Sequence, residues 1–352
     1  MTMTDLRQHL LEGGVIPALP LALDSSRRLS PDHQRAIIRY YVAAGCSGIA
    51  AAVHSTQFAI RSPEHNLLRP VLELASEAID EALLRAPRNF VKIAGVCGHT
   101  NQALEEARLC RSLGYHAALV SMAAWKTGSE AEILDHCRRV AEIIPIIGFQ
   151  LQTAVGGREF SVSFWEQFVR IDNLVAIKVA PFNRFQTLDV VRALAGSGRT
   201  DVALYTGNDD NIVVDLLTPF SFGTGDGARR LWFSGGLLGH WGVWTHAAVA
   251  LFQRIMKERG LSALDPSLLT TAAQVTDMNA ALFDPAHGFS GCIPGILEVL
   301  RRQGLVPTNL CLDPSEVLSP GQAEELDRVC AAYPHLTDDG FIAEHLASWR
   351  SG

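Results

Sequence analysis

The sequence predicts a (β/α)₈ barrel followed by an all-helical extension. Two observations carry this. From residue 14 onward, short apolar runs alternate strictly with segments of helical period, and the alternation reaches eight pairs before stopping near residue 260. At 352 residues the chain also accommodates a barrel of roughly 250 residues plus an appendage. A doubly wound open sheet would alternate similarly, but eight pairs favour closure. No G-x-G-x-x-G follows the first strand to signal a dinucleotide site.

Residues 15–23 read as the first strand. Ser30-Pro31 then supplies an N-cap and a proline at the first helical position, opening a helix to about Gly45. Strands over 48–54, 90–96, 116–122 and 145–151 are followed by helices over 64–85, 102–113, 130–144 and 164–171. Two further pairs occupy 174–180 with 188–194, and 202–206 with 211–217. Residues 230–234 read as the eighth strand, and a helix follows over 238–259. Beyond Gly260, segments 266–283, 291–302, 320–333 and 338–349 are all helical in pattern. The expected organisation is a barrel over 1–260 that carries the active site, and an extension over 261–352 whose plainest role is packing or oligomer contact.

Composition narrows the function classes. Hydrophobic residues at 48% and charged residues at 19% permit a large core and exclude a disordered chain. A net charge of −7 without a Lys/Arg cluster offers no surface for nucleic acid. Residues 1–13 are polar and lack the apolar stretch of a signal peptide, and no run approaches the roughly 18 apolar residues of a membrane helix. Seven scattered cysteines without a C-x-x-C pair point to reduced thiols and a cytoplasmic setting. No H-E-x-x-H, paired histidines or carboxylate cluster calls for a metal, and no cofactor is expected. The glycine-rich stretch 223–227 is a candidate phosphate loop for an oxidoreductase, but reads more simply as a turn.

Barrel enzymes place their chemistry at the C-terminal strand ends and the loops that follow. Those ends carry Asp24, then His54-Ser55-Thr56-Gln57, Cys97 and His99, Met122 to Trp125, Phe149-Gln150-Leu151-Gln152, Lys178, Thr206-Gly207-Asn208-Asp209, and Ser234-Gly235-Gly236. Lys178 is the most informative. The chain has four lysines against 26 arginines, and this one interrupts an apolar strand, on the same face as Ala176 and Ala180. Small neighbours leave room for it at the barrel mouth, where desolvation favours the neutral amine needed to attack a carbonyl. The competing reading is a lysine that snorkels outward or pairs with a carboxylate. His54 is a candidate acid or base, or an ordinary hydrogen-bonded histidine. Asp209, after Gly207-Asn208, reads as a helix cap.

Ala44-Gly45-Cys46-Ser47-Gly48-Ile49, Ile93-Ala94-Gly95, Thr100-x-x-Ala103, Pro145-Ile146-Ile147 and Asn173-Leu174-Val175-Ala176-Ile177-Lys178 fall in an order and spacing that resembles the dihydrodipicolinate synthase / N-acetylneuraminate lyase family. That resemblance implies a homo-oligomer, dimer or tetramer, and a class I aldolase or lyase forming an imine between Lys178 and pyruvate or another 2-oxo acid. The catalytic motifs depart from the family pattern. Its G-T-T-G-E, which holds the 2-oxo acid carboxylate, is Val53-His54-Ser55-Thr56-Gln57 here. Its Y-N-V-P, whose tyrosine shuttles protons, is Phe149-Gln150-Leu151-Gln152, without the hydroxyl. The second relay tyrosine falls near Trp125, and the arginine for the second substrate's carboxylate falls near Ala154, with Arg158 close by.

The resemblance and residues together predict a Schiff-base lyase, aldolase or hydratase–dehydratase acting on a 2-oxo acid such as pyruvate or a related carbonyl compound, but not dihydrodipicolinate synthase itself. Lys178 and His54 are the expected catalytic pair. Ser55, Thr56, Phe149, Gln150, Trp125 and Gly207 are the expected substrate contacts. The alternative is a relative that lost the chemistry and serves as a ligand-binding or assembly protein.

Overall fold

The structure is a computed structural model that describes residues 1–351. Its strands are β1 (Val15–Pro17), β2 (Gly48–Ala51), β3 (Val91–Val96), β4 (Ala117–Val120), β5 (Ile146–Leu151), β6 (Leu174–Ala180), β7 (Ala203–Thr206), β8 (Phe220–Phe222), β9 (Arg229–Leu231) and β10 (Gly235–Leu238). Eight of them form one parallel sheet in the order β1-β10-β7-β6-β5-β4-β3-β2. A parallel bridge between Ala18 and Ala50, with the Leu19 N–H donating to the Ala50 carbonyl at 2.8 Å, brings β1 against β2 and closes the ring. The (β/α)₈ barrel and its helical C-terminal region are thus present as the alternation predicts.

The eighth barrel strand lies elsewhere than expected. Residues 229–231 pair antiparallel with β8 in a hairpin separate from the barrel, and β10 completes the ring instead. Crowding explains the choice of Gly235-Gly236. A Cβ at Gly235 would stand 2.2 Å from the Gly14 carbonyl oxygen, and one at Gly236 would meet Trp241 at 2.7 Å. The closing strand must be nearly free of side chains there, so it has none of the β-branched character by which strands are recognised. The second strand ends at Ala51, not His54. Ala52 turns at φ 56°, and His54–Thr56 form a 3₁₀ turn. The last barrel helix starts at Thr245, after a 3₁₀ turn over His240–Gly242.

The polar N-terminus is also a helix, Met3–Glu12, opened by a capping box between Thr2 and Asp5. Leu6 and Leu10, one turn apart, enter the barrel's inner cluster beside Val91, Ala117 and Tyr205. The Tyr205 hydroxyl donates to the Leu10 carbonyl at 3.0 Å. This helix is the floor of the barrel, at the end away from the loops that follow the strands.

The helices of the extension, Ser267–Phe283, Cys292–Arg302, Gln322–Ala332 and Asp339–Ser351, fold back over the barrel. The Tyr40 hydroxyl donates to Asp338 at 2.6 Å, and Asp338 also accepts the His246 N–H at 2.9 Å. The Gln57 side chain accepts the Leu312 N–H at 2.6 Å, so this residue after β2 anchors the extension. Among the described residues, no helix is long and apolar enough to cross a membrane.

Leu10 is fully buried, whereas Leu84 is 82% exposed. Leu10→Ala is expected to cost about 2–5 kcal/mol in urea denaturation, and Leu84→Ala no more than about 0.5 kcal/mol.

Candidate active site

The pleat of β6 turns Ala176, Lys178 and Ala180 toward one side and Ile177 and Val179 into the layer beneath the helices. Lys178 therefore projects into a cavity at the barrel mouth, which also receives Phe149 from β5, Gly207 from the end of β7, and His54 and Ser55 from the turn after β2. Gly207 is required. A Cβ there would approach both Lys178 Cε and Ala180 Cβ to 2.7 Å. The far wall comes from the extension, through Phe283, Phe289, Cys292 and Ile296. The extension thus does more than pack: it shapes the cavity.

The Lys178 amine lies 4.5 Å from the centroid of the Phe149 ring. Burial pulls its pKa well below the ordinary lysine value, opposed by the negative charge of Asp209. Asp209 lines the same cavity and shows the converse shift. Burial pushes its carboxyl up from the usual range, against the opposing effects of the His240 N–H and Lys178. The two groups face one space, and no hydrogen bond or ion pair joins them among the described residues.

Asp209 is held from behind. Its side chain accepts the His240 N–H at 3.1 Å, and its carbonyl accepts the Asn279 amide at 2.6 Å. Asn279 in turn accepts from His240 Nδ1 at 2.6 Å, which fixes the ring as the Nδ1–H tautomer. The neighbouring Asn208 is bound to the buried Asp215, as is the Thr206 hydroxyl at 2.6 Å. Asn208 also accepts the Phe182 N–H at 3.0 Å, linking the loops after β6 and β7. Asp209 is not the expected helix cap; the cap position of helix Ile212–Leu217 is Asn211. Its inward aim was not legible from a Gly-Asn-Asp turn, since capping and cavity-facing aspartates look alike in sequence.

Burial, with the Lys178 charge second, pulls the His54 imidazole down to about 4, so the ring is neutral at pH 7. The Ser55 hydroxyl donates weakly to the Leu19 carbonyl at 3.3 Å.

Three of the expected contacts do not line the cavity. Thr56 is buried, donating to the Leu19 carbonyl at 2.6 Å and accepting the Val53 N–H at 3.2 Å, so it shapes the turn. Gln150 alternates with Phe149 and points outward, donating to Gln186 at 3.1 Å. Trp125 is packed between His99 and His136, with centroids 5.0 and 5.2 Å away. Arg158, the candidate for a second carboxylate, is spent on the carbonyls of Trp125 and Gly128 at 2.8 and 2.6 Å.

A model of the Dihydrodipicolinate synthetase family matches residues 12–223. The chain belongs to that family. A 4-hydroxy-tetrahydrodipicolinate synthase of Marinobacter nauticus is 26% identical over 185 residues, which are 51% of this chain and 58% of the relative. The chain therefore matches little more than half the length of that curated relative. Among solved structures, dihydrodipicolinate synthase from Oceanobacillus iheyensis is similar with a TM-score of 0.73 at 15% identity, over 95% of this chain and 99% of that one. N-acetylneuraminate lyase from Fusobacterium nucleatum complexed with pyruvate gives 0.71 at 16% identity, over 92% and 97%. Both likenesses extend across the helical region as well as the barrel.

Within this family member, a buried ion pair braces the turn that carries His54. Arg61 contacts Glu106 at 3.0 Å and donates to the strand-end carbonyls of Ala52 and Gly95 at 3.1 and 2.9 Å. Glu106 also accepts the Cys97 N–H at 3.0 Å. Glu106→Ala leaves a guanidinium buried without its partner and is expected to cost about 3–5 kcal/mol, read by urea denaturation.

Proposed function

We propose that this protein is a Schiff-base-forming lyase or aldolase whose Lys178 condenses with a 2-oxo acid, pyruvate being the simplest. The observation that carries the reading is an amine desolvated at the barrel mouth, unpaired, and facing a cavity shared with a protonatable carboxyl. A lysine kept for structure would sit in an ion pair, as Lys92 does with Asp80 at 2.9 Å. The pyruvate complex of the N-acetylneuraminate lyase with the same fold is consistent with this donor.

The chemistry follows from the side chains. The neutral Lys178 amine adds to the ketone carbon as the carbonyl oxygen takes a proton from the acid, and the nitrogen returns one of its own protons to that acid, giving a carbinolamine. The recharged acid then protonates the departing hydroxyl, and loss of water yields the protonated imine. Phe149 has no hydroxyl to relay those protons, and His54, neutral and weakly basic, is a poor acid. Asp209 retains its proton to an unusually high pH and is the donor. His54 and Ser55 then orient the 2-oxo acid carboxylate through neutral hydrogen bonds at the start of their 3₁₀ turn. Seven free cysteines suit a cytoplasmic enzyme, and the family resemblance suits a dimer or tetramer. The missing tyrosine hydroxyl favours the other reading, a binding protein without turnover.

Incubation with pyruvate followed by borohydride is expected to leave a reduced adduct on Lys178, located by mass spectrometry and absent in Lys178→Ala. No adduct from well-folded protein would move the assignment to the binding protein.

The reactive form of the pair is neutral amine with protonated acid. Imine formation should therefore fall at low pH, where Lys178 holds its proton, and at high pH, where Asp209 has lost its own. Asp209→Asn is expected to slow the step by about 10²–10⁴ and to abolish the alkaline limb. It should also shift the acid limb to lower pH, because the charge that raises the Lys178 pKa is gone. An unchanged pH profile in the variant would remove Asp209 from the proton path.

A further inference from the structure

The polar side chains of the cavity, His54, Ser55, Gln152, Lys178 and Asp209, all come from the barrel strands and the loops after them, whereas the extension contributes the apolar Phe283, Phe289, Cys292 and Ile296, beside Phe182. Lys178 is the only cationic side chain among the described residues that line it. Arg158, which would have met a second carboxylate, is committed to two loop carbonyls. Burial pushes the Cys292 thiol up, so it packs as an apolar group and not as a nucleophile.

Two of the wall residues are shared with a second space. Phe182 and Phe289 meet edge to face with centroids 5.9 Å apart. They also line a second cleft whose exposed surface is mostly apolar, with Ala280, Phe283 and Pro285, and with Asp209, Asp210, Thr276 and Asn279 at its edge. Both rings are carried on left-handed backbone, at φ 51° for Phe182 and 68° for Phe289. A residue with a bulky side chain holds that conformation only when its surroundings over-determine it. Phe182 is fixed by the Asn208 bond, and Phe289 by its N–H donating to the Asp284 carbonyl at 2.9 Å. The chain thus sets two phenyl rings against both the reactive space and a neighbouring, mostly apolar cleft.

We infer that the second substrate is an uncharged aromatic aldehyde, seated against Phe182, Phe283 and Phe289. This rests on the imine reading above. After the protonated imine forms, the Asp209 carboxylate takes a proton from the donor's methyl carbon to give an enamine. That carbon attacks the aldehyde carbon, a carbon–carbon bond forms as the carbonyl π bond breaks, and the aldehyde oxygen takes the proton back from Asp209. Water then hydrolyses the new imine, releasing a 4-hydroxy-2-oxo acid and restoring the amine. Cleavage is the same sequence reversed. An anionic aldehyde would bury its carboxylate against phenyl rings with no cation to receive it, which is costly. A sugar-like aldehyde would leave several hydroxyls without partners, since beyond the groups assigned to the donor, Gln152 is the one polar side chain among the described residues that line the space.

Two measurements on the full chain test this. The first is calorimetric binding of benzyl alcohol, an unreactive probe, against succinate. Benzyl alcohol is expected to bind at least about tenfold more tightly, and Phe289→Ser to weaken it by about tenfold while Phe289→Leu restores most of the loss. The second is kcat/KM with pyruvate for benzaldehyde against succinic semialdehyde, where the aromatic aldehyde is expected to lead by at least about tenfold. Preference for succinate or its semialdehyde, or indifference of benzyl alcohol binding to Phe289→Ser, overturns the inference. Borohydride trapping of pyruvate on Lys178 is read separately in each protein. Should trapping fail, the imine reading falls, and the benzyl alcohol comparison alone decides the ligand class.

Discussion

The barrel mouth depends on a scarcity of side-chain volume around one long amine. Ala176 and Ala180 flank Lys178 on its strand, and Gly207 on the neighbouring strand end stands where any Cβ would collide with it. Those absences create the cavity, and the cavity in turn keeps bulk water from solvating the ammonium. An isolated buried charge costs several kcal/mol, and a protein escapes that cost by pairing the ion or by neutralising it. Lys92 shows the first escape, and burial draws Lys178 toward the second by lowering its pKa to about 8.

Fixed polar networks surround this space without intruding on it. Arg61 and Glu106 tie the ends of β2 and β3 beneath the His54 turn. Asp215, wholly buried, gathers Thr206, Asn208, Asn211 and Arg184 beneath the loop after β7. Each network meets its charges with several hydrogen bonds, although Arg61 Nη1 is left without a partner among the described residues, and such bonding is the condition for a buried ion to be tolerated. Rigid polar scaffolding behind the wall and apolar surface in front of it are what let a few protonatable groups be aimed at one point.

How much of this the sequence discloses varies with the physics of each element. β3, β5 and β6 are apolar runs bounded by turn residues, and they lie where the pattern puts them. β10 escaped because its glycines answer to crowding and carry no propensity signal. The first helix escaped because its two leucines are a weak stripe, although the Thr2–Asp5 capping pair was there to be read. Lys178 was legible because period-two alternation needs only its own strand. That same alternation, applied to β5, would have turned Gln150 outward once Phe149 was placed inward. Phe283, Phe289 and Cys292 were invisible as wall residues. They lie about a hundred residues from β6 in sequence, and only tertiary packing brings them to it.

The leucine-bearing first helix has one more consequence. With Leu6 and Leu10 filling the lower end of the barrel, the space around Lys178 has no continuation beneath it, and its remaining wall is the extension's Phe283, Phe289, Cys292 and Ile296. One end of the barrel is thereby given over to packing, which leaves the other free to be shaped by side chains from distant parts of the chain.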